Sequence, residues 1–169
     1  FGNARSNSGL YAWEGVAARM KRFVEAGEQV KESPKEMSRI VKKAARFLGA
    51  YLVGICQVHP NWIYSFEFNG LTREHYPIDL PEDSRNAIVM AVEMDYGVLR
   101  ASPSGVGGAA TGLGYSKMAF VANLVATFIR GLGYRAIPSG NDTALSIPLA
   151  MAAGLGEGSR MGLLLTEKY

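Results

Sequence analysis

The chain has 169 residues, of which 48% are hydrophobic and 20% charged, a composition typical of one folded domain and not of a disordered tail. It contains no uninterrupted apolar run of about 20 residues, and its polar opening FGNARSNSGL predicts no secretory signal. One cysteine, Cys56, and two histidines exclude an internal disulfide framework, a cysteine-ligated iron–sulfur cluster and a histidine-rich metal site. The net charge of +3 fits an anionic ligand but does not by itself predict nucleic-acid binding.

Two helices are predicted in the first 50 residues. Residues 10–28 follow a polar arm and carry apolar side chains at helical spacing, namely Val16, Met20, Phe23 and Val24. Ser33, Pro34 and Glu36 then have the order of a capped helix start, and Gly49 marks the end of that helix. Its basic residues predict a solvated outer face: Lys35, Arg39, Lys42, Lys43 and Arg46.

Two apolar runs predict buried strands, at residues 51–57 and 87–94. Cys56 lies in the first strand, where a small inert core residue is expected. The stretch 59–86, rich in prolines and aromatic residues, predicts a long surface connection with one helical turn at 61–64. His59 in this stretch has no partner at a metal-ligand spacing, so no role is assigned to it.

The second half of the chain predicts two more helices and two more strands. The glycines at 105–114 indicate a flexible loop over a ligand, because their spacing does not match a dinucleotide-binding fingerprint. A strong helix follows at 115–132, then a short strand at 135–137. Asp142 or Thr143 is expected to cap a helix that runs to 153 with a kink at Pro148, before a last strand at 161–166. This order predicts an α+β fold, an α/β sandwich, and the stop soon after the last strand suggests a fragment.

Three places carry candidate chemistry. Glu93 to Tyr96 follow a strand, so that Asp95 or Tyr96 is placed to donate a proton, although a tyrosine packed at a strand end explains the pattern as well. The turn at 137–143 is expected to bind a phosphate or amide oxygen through backbone N–H groups, or to be only a well-capped turn. The glycines at 154–162 allow a close approach to a ligand beside Arg160, which is otherwise a solvated arginine.

The longest recognisable run is YSKMAFVANLVATFIRGLGYRAIPSGNDTALSIPLAMAAGLGEGSRMGLLLTEKY. It resembles the corrinoid-binding core of the reductive dehalogenases, enzymes that remove halogen from organohalides. The upstream runs FLGAYLVGICQVHPNWIYS and NAIVMAVEMDYG are similar to the preceding strands of that family. The resemblance covers roughly residues 35–169 and is most specific at 134–166.

The resemblance implies a nitroreductase-like core over residues 33–169, with residues 1–32 forming an N-terminal arm and helix. It implies a cobalamin-type corrinoid, bound base-off, that reduces the organohalide, and a tyrosine that donates a proton with help from a basic residue. Tyr96 and Arg160 best fit those two catalytic roles. The expected cofactor-binding residues are Pro138, Ser139, Gly140, Asn141, Asp142, Thr143, Gly154, Gly156, Met161 and Gly162.

Family members also carry a segment with two 4Fe–4S clusters and a twin-arginine export signal, neither of which this sequence shows. The expected cofactor of this chain is therefore the corrinoid alone. The resemblance implies an exported enzyme on the outer face of the cytoplasmic membrane, docked to a small membrane anchor protein, with an organohalide substrate and no nucleic-acid partner. An epoxyqueuosine reductase-like enzyme, a non-catalytic corrinoid-binding or processing module and a flavin nitroreductase are the alternatives.

Overall fold

The computed structural model describes residues 29–69, 72–78, 80–82 and 84–167. The predicted helix at 10–28 and most of the predicted arm lie outside these residues. In chain order the described elements are α1 (Pro34–Phe47), β1 (Leu52–Gln57), a 3₁₀ turn (Pro60–Trp62), β2 (Phe66–Asn69), β3 (Glu74–Pro77), β4 (Asn86–Ala91), α2 (Tyr96–Leu99), α3 (Gly105–Gly131), α4 (Ser146–Ala152), β5 (Glu157–Gly158) and β6 (Leu164–Leu165). Three antiparallel strand pairs, β1–β4, β2–β3 and β5–β6, combine with these helices in an α+β arrangement.

The start of α1 confirms the predicted cap. The Ser33 hydroxyl oxygen accepts a hydrogen bond from the Glu36 backbone N–H at 3.2 Å, and Pro34 occupies the first turn. On the outer face Arg39 pairs with Glu36, and this hydrogen bond lowers the pKa of the Glu36 carboxyl. The pair is solvent-exposed, so it contributes little to stability. Most of the basic residues on this helix are exposed, as predicted.

The core lies where α1 and α3 pack on the β1–β4 pair. Buried residues from all three elements meet there: Ala45, Ala50, Val53, Val121 and Val125. The two predicted buried strands pair antiparallel, with Val53 opposite Met90 and Ile55 opposite Ile88. β4 ends at Ala91, three residues earlier than predicted, because the chain turns there toward the start of α2. Cys56 is buried as expected, and burial raises the pKa of its thiol.

The predicted flexible loop at 105–114 is wrong, because these residues form the first turns of α3. Glycine costs a helix interior about 1 kcal/mol relative to alanine, and this low propensity misled the sequence-based interpretation. Close packing explains two of these glycines. A Cβ at Gly107 would lie 2.8 Å from the Ser102 backbone, and one at Gly114 would lie 2.8 Å from Met94 Sδ.

The connection at 59–86 is also more ordered than predicted. A 3₁₀ turn at Pro60–Trp62 takes nearly the place of the expected helical turn, and a hairpin of β2 and β3 follows it. This hairpin places Glu67 on the buried side, opposite Tyr76 in the pairing. A half-buried strand is recognised in a sequence by buried apolar residues that alternate with exposed polar ones. Here the buried residue is polar and its neighbours are exposed aromatics, so this pattern is missing.

Four predictions for the last 40 residues need correction. Residues 135–137 form no strand, and the Ala136 carbonyl instead accepts a hydrogen bond from the buried Arg130 Nε at 3.0 Å. The next helix begins at Ser146 with Leu145 at its N-cap, so neither Asp142 nor Thr143 caps it. Pro148 lies in its first turn, where no intrahelical N–H bond is lost and no kink is required. The last strand contains Leu164 and Leu165 alone.

Helix α3 is long and apolar enough to meet the length and composition criteria of a membrane span, although the sequence contains no uninterrupted apolar run of that length. Core helices of soluble proteins meet the same criteria. The inner face of α3 packs against α1 and the β1–β4 pair, as a core helix of a soluble protein does. Its length and composition therefore carry no conclusion about a membrane.

The close contact between β1 and the end of α4 makes Gly54 a test of this packing. A Cβ at Gly54 would overlap the Ala153 carbonyl oxygen and lie 2.7 Å from the Ala153 Cβ. We expect Gly54→Ala to lower the free energy of unfolding by about 1–3 kcal/mol, the usual cost of overpacking. The measurement is urea unfolding followed by circular dichroism.

Gly112→Ala is the matched control, because a Cβ at Gly112 meets nothing within 4 Å and the site lies inside α3. We expect this change to raise the free energy of unfolding by up to about 1 kcal/mol through helix propensity. Equal effects of the two substitutions would contradict the packing of β1 against α4.

Candidate functional site

A cavity of about 150 Å³ opens between the chain that follows β4 and the outer turns of α3. Its walls are mainly apolar, with one lysine and one carboxylate at the rim: Met94, Asp95, Val98, Ala109, Ala110, Leu113, Gly114 and Lys117. The ammonium group of Lys117 lies 3.4 Å from the Glu93 carbonyl oxygen and so links the two walls. This cavity follows a strand end, where the sequence predicted candidate chemistry, although its second wall is the stretch that was predicted to be a loop.

Two local features shape this cavity. The Asp95 carboxylate accepts a hydrogen bond from the Val98 backbone N–H at 2.8 Å and thereby caps α2. Gly114 leaves room for the Met94 side chain against α3, since a Cβ there would lie 2.8 Å from its sulfur. The Asp95 carboxylate therefore has a structural role in capping α2.

Tyr96 is the first residue of α2, and 72% of its surface is exposed. The cation beside its ring is Arg100, whose guanidinium carbon lies 5.7 Å from the ring centroid. No contact joins Arg160 to Tyr96 among the described residues, so the structure does not bring the predicted catalytic pair together. A second exposed tyrosine, Tyr115, directly follows Gly114 of the cavity wall.

The predicted cofactor turn at 138–143 is closed on itself by Asp142. The Asp142 carboxylate accepts hydrogen bonds from the Gly140 backbone N–H and the Thr143 hydroxyl, each at 3.2 Å. Pro138 and Thr143 are buried, whereas the other polar residues of the turn, Ser139 and Asn141, are exposed. Ser139 and Asn141 are thus the side chains of this turn that can reach a ligand.

Hydrogen bonds tie the end of this turn to the 3₁₀ region. The Tyr64 backbone N–H donates to the Thr143 carbonyl at 3.1 Å, and the Leu145 N–H donates to the Trp62 carbonyl at 2.8 Å. The Asn141 side-chain oxygen also accepts a hydrogen bond from the Ser146 hydroxyl at the start of α4. The turn is therefore fixed from two sides although it contains no regular helix or strand.

The glycine-rich segment at 154–162 contains a tight hairpin. The Ser159 N–H donates to the Leu163 carbonyl at 2.8 Å, and the Gly162 N–H donates to the Ser159 carbonyl at 3.1 Å. Arg160 and Met161 form the tip of the hairpin, where Met161 is 84% exposed. Arg160 makes no polar contact with another described residue, so its guanidinium is available to a ligand.

Three glycines of this segment have a structural role in the fold itself. Gly154 and Gly162 have φ angles of 72° and 74°, which side chains rarely allow. A Cβ at Gly156 would overlap the Leu165 carbonyl oxygen of β6. Gly156 therefore has a role in packing against β6, and its contact with a cofactor stays a prediction.

The two predicted cofactor-binding segments lie at opposite ends of α4, which spans about 10 Å at 1.5 Å per residue. Exposed polar side chains at one end, Ser139 and Asn141, and exposed apolar side chains at the other, Met161 and Leu163, suit a large amphipathic ligand such as a corrinoid. No group of three or more His, Cys, Asp or Glu side chains in the described ranges could hold a metal ion.

A second cavity, of about 560 Å³, lies beside the end of β1, where the sequence predicts no site. It is lined by Gln57, Val58, Pro60, Ile63, Leu80, Glu82, Ser84 and Arg85. Several of these residues belong to the connection predicted at 59–86, to which no site residue was assigned. These residues come together because of the path that the connection takes through space. The spacing of residues in the sequence does not reveal that path.

Comparisons with other proteins give a consistent result. A tetrachloroethene reductive dehalogenase of Desulfitobacterium hafniense is 40% identical over 95% of this chain and 35% of its own length. The enzyme of the same name from Dehalobacter restrictus has the same identity and coverage, and that of Sulfurospirillum multivorans is 32% identical over 80% of this chain and 32% of its own length. The chain thus spans about a third of the length of these relatives. No protein-family model matches it.

Solved structures give the same fold. The catabolic reductive dehalogenase NpRdhA matches with a TM-score of 0.65 and 24% identity over 90% of this chain and 23% of its own. A lysine-to-glutamine variant of it matches with the same TM-score over 93% of this chain and 24% of its own. The identity of 40% across nearly the whole chain, together with this fold, shows that the chain belongs to the reductive dehalogenase family.

Proposed function

We propose that this chain is the catalytic core of a corrinoid-dependent reductive dehalogenase that replaces halogen by hydrogen on a small organohalide. The reaction consumes two electrons and one proton, breaks the carbon–halogen bond, forms a carbon–hydrogen bond and releases halide. The observation that carries the proposal is the 40% identity, over 95% of this chain, to tetrachloroethene reductive dehalogenases.

The proposed cofactor is a cobalamin-type corrinoid bound base-off to a nitroreductase-like core. When bound, it supplies electrons to the carbon–halogen bond through its cobalt. Ser139 and Asn141 are the exposed polar groups that would hold its amide side chains or tail, and Met161 would pack against an apolar part. Pro138, Asp142 and Thr143 would act indirectly, by fixing the turn that presents Ser139 and Asn141.

The remaining partners follow from the family resemblance. The two 4Fe–4S clusters belong to a part of the full-length protein other than this chain, since one cysteine cannot ligate them. An exported location on the outer face of the cytoplasmic membrane and docking to a small anchor protein belong to the same proposal. Nucleic acid is not among the proposed partners.

The cavity beside α2 is the proposed substrate pocket. Its volume of about 150 Å³ equals that of an engineered apolar cavity that binds benzene, so its size suits a small molecule. Its apolar walls favour an organohalide over a charged compound. The neighbouring Tyr96 is the proposed proton donor, and Arg100 is the cation in contact with its ring.

An unperturbed tyrosine has a pKa of about 10 and is a weak acid at neutral pH, so the proposed donor needs a nearby positive charge. Arg160 keeps the predicted assisting role in this proposal, although it lies at the hairpin tip and does not contact Tyr96 in the described structure. Arg100 is a second candidate for that role, because its guanidinium contacts the Tyr96 ring.

Corrinoid binding is the first measurement. We expect titration of the chain with hydroxocobalamin to give the absorbance spectrum of a base-off corrinoid. Ser139→Ala together with Asn141→Ala should weaken binding, because both side chains are exposed at the turn. Gly156→Ala is a control for folding and should lower the melting temperature, since its Cβ would overlap the β6 backbone. A base-on spectrum, or no binding by the folded chain, would contradict the proposed cofactor.

Gly114→Ala tests the substrate pocket. The added Cβ would displace the flexible Met94 side chain, and the cavity should narrow with little loss of stability. We expect the KM for a small organohalide to rise in the full-length enzyme while kcat changes less. Gly112→Ala, in open space two residues away, is the matched control. An unchanged KM in Gly114→Ala would place the substrate elsewhere.

Tyr96→Phe tests the proton donor. With a chemical reductant we expect the dehalogenation rate of the full-length enzyme to fall by about 10²–10⁴-fold, the range typical of lost acid catalysis, while corrinoid binding is unchanged. Tyr115→Phe is the matched control, because Tyr115 is also an exposed tyrosine near the cavity. A loss confined to Tyr115→Phe would transfer the proposed role to that residue.

A further inference from the structure

Arg130 is a charged residue in the interior of the protein. It lies in the last turn of α3, and 4% of its surface is exposed. Its Nε donates a hydrogen bond to the Ala136 carbonyl oxygen at 3.0 Å. Its Nη1 is buried and has no hydrogen-bond partner among the residues that the structure describes. Arginine is almost never buried this completely unless another charge is paired with it, so its position needs a physical reason.

Core packing does not supply that reason. Burial lowers the pKa of the Arg130 guanidinium, because the charged form is less stable away from water. The negative end of the α3 dipole offsets part of this cost, since Arg130 lies near the C-terminus of the helix. An apolar side chain of similar volume would fill the same space without burying a charge, and such exchanges are often neutral or stabilising. What the guanidinium adds is therefore its hydrogen bond to Ala136.

The Ala136 carbonyl lies on the chain that leads from α3 into the turn at 138–143. The far end of this turn is held by backbone hydrogen bonds to the 3₁₀ region. The hydrogen bond from Arg130 holds the near end to α3. Ser139, which is exposed, follows Ala136 by three residues. A segment held at both ends has fewer conformations than a segment held at one end, so this bond restricts the position of Ser139.

We propose that Arg130 is a positioning residue for corrinoid binding, because it fixes the near end of the turn and so presents Ser139 to the ligand. Arg130 acts through the Ala136 carbonyl, since its own side chain is buried. This inference rests on the proposed cofactor, but the fixing of the turn can be measured without the cofactor.

Arg130→Met and Arg130→Gln separate the hydrogen bond from the charge. Methionine keeps an unbranched side chain and removes both the donor and the charge. In glutamine the amide nitrogen Nε2 is as many bonds from the backbone as the arginine Nε, so it can donate to the Ala136 carbonyl without a charge. We therefore expect Arg130→Met to release the turn and Arg130→Gln to keep it.

Two measurements on the full chain follow the turn. Hydrogen exchange of a peptide that spans residues 134–143, measured by mass spectrometry without cofactor, should become about tenfold faster in Arg130→Met. The Kd for hydroxocobalamin should rise by about tenfold, the order expected when a hydrogen bond from a charged donor is lost. Arg130→Gln should stay close to the unchanged chain in both measurements.

Val125→Ala is the matched control. Val125 belongs to the same helix, is 2% exposed and packs in the core cluster. Its truncation leaves a cavity, so we expect a lower melting temperature with little change in exchange at 134–143 or in corrinoid affinity. Arg130→Met should show the opposite order, a small change in melting temperature with larger changes in exchange and affinity. A general loss of stability does not produce this reversal.

Unchanged exchange at 134–143 in Arg130→Met would overturn the proposal, and so would faster exchange with an unchanged Kd. Equal losses of affinity in Arg130→Gln and Arg130→Met would assign the effect to the charge and not to the hydrogen bond. An Arg130→Met chain that does not fold by circular dichroism would assign Arg130 to the core. If the unchanged chain binds no corrinoid, the proposed cofactor is contradicted, and with it the role toward that cofactor, whereas exchange still decides whether Arg130 fixes the turn.

Discussion

The contact between α3 and the β1–β4 pair supports both the core and the candidate site. Val121 and Val125 of α3 meet Val53 of β1 in the core, and Ala45 joins them from α1. The same helix continues N-terminally beyond this core and forms one wall of the small cavity. The end of β4 leads directly into the opposite wall. Any change that moves α3 relative to the sheet therefore changes the cavity as well.

Glycine has a consistent physical role in this arrangement. Gly54 brings β1 against the end of α4, Gly114 lets Met94 lie on α3, and Gly156 lets the chain pass the β6 backbone. At each position the missing side chain permits two pieces of the protein itself to touch. At Gly54, Gly114 and Gly156 the absence of a side chain thus serves the internal packing of the fold.

The turn at 138–143, which is predicted to bind the cofactor, and the cavity beside α2 are held in place by different interactions. The turn at 138–143 has no regular structure and depends on the Asp142 carboxylate and on backbone bonds to Trp62 and Tyr64. The cavity depends on helix caps and close packing. The two regions therefore depend on different stabilising interactions.

The sequence by itself determined the family, the capped start of α1 and the two central strands. These rest on local signals, namely an order of motif residues, the Ser33 cap and continuous apolar runs, which tertiary contacts did not override. Only the tertiary structure showed that residues 105–114 are helical, that Gly156 serves packing and that Arg100, rather than Arg160, contacts Tyr96. Each of these depends on which distant segments meet, and the spacing of residues along a single chain does not contain that information.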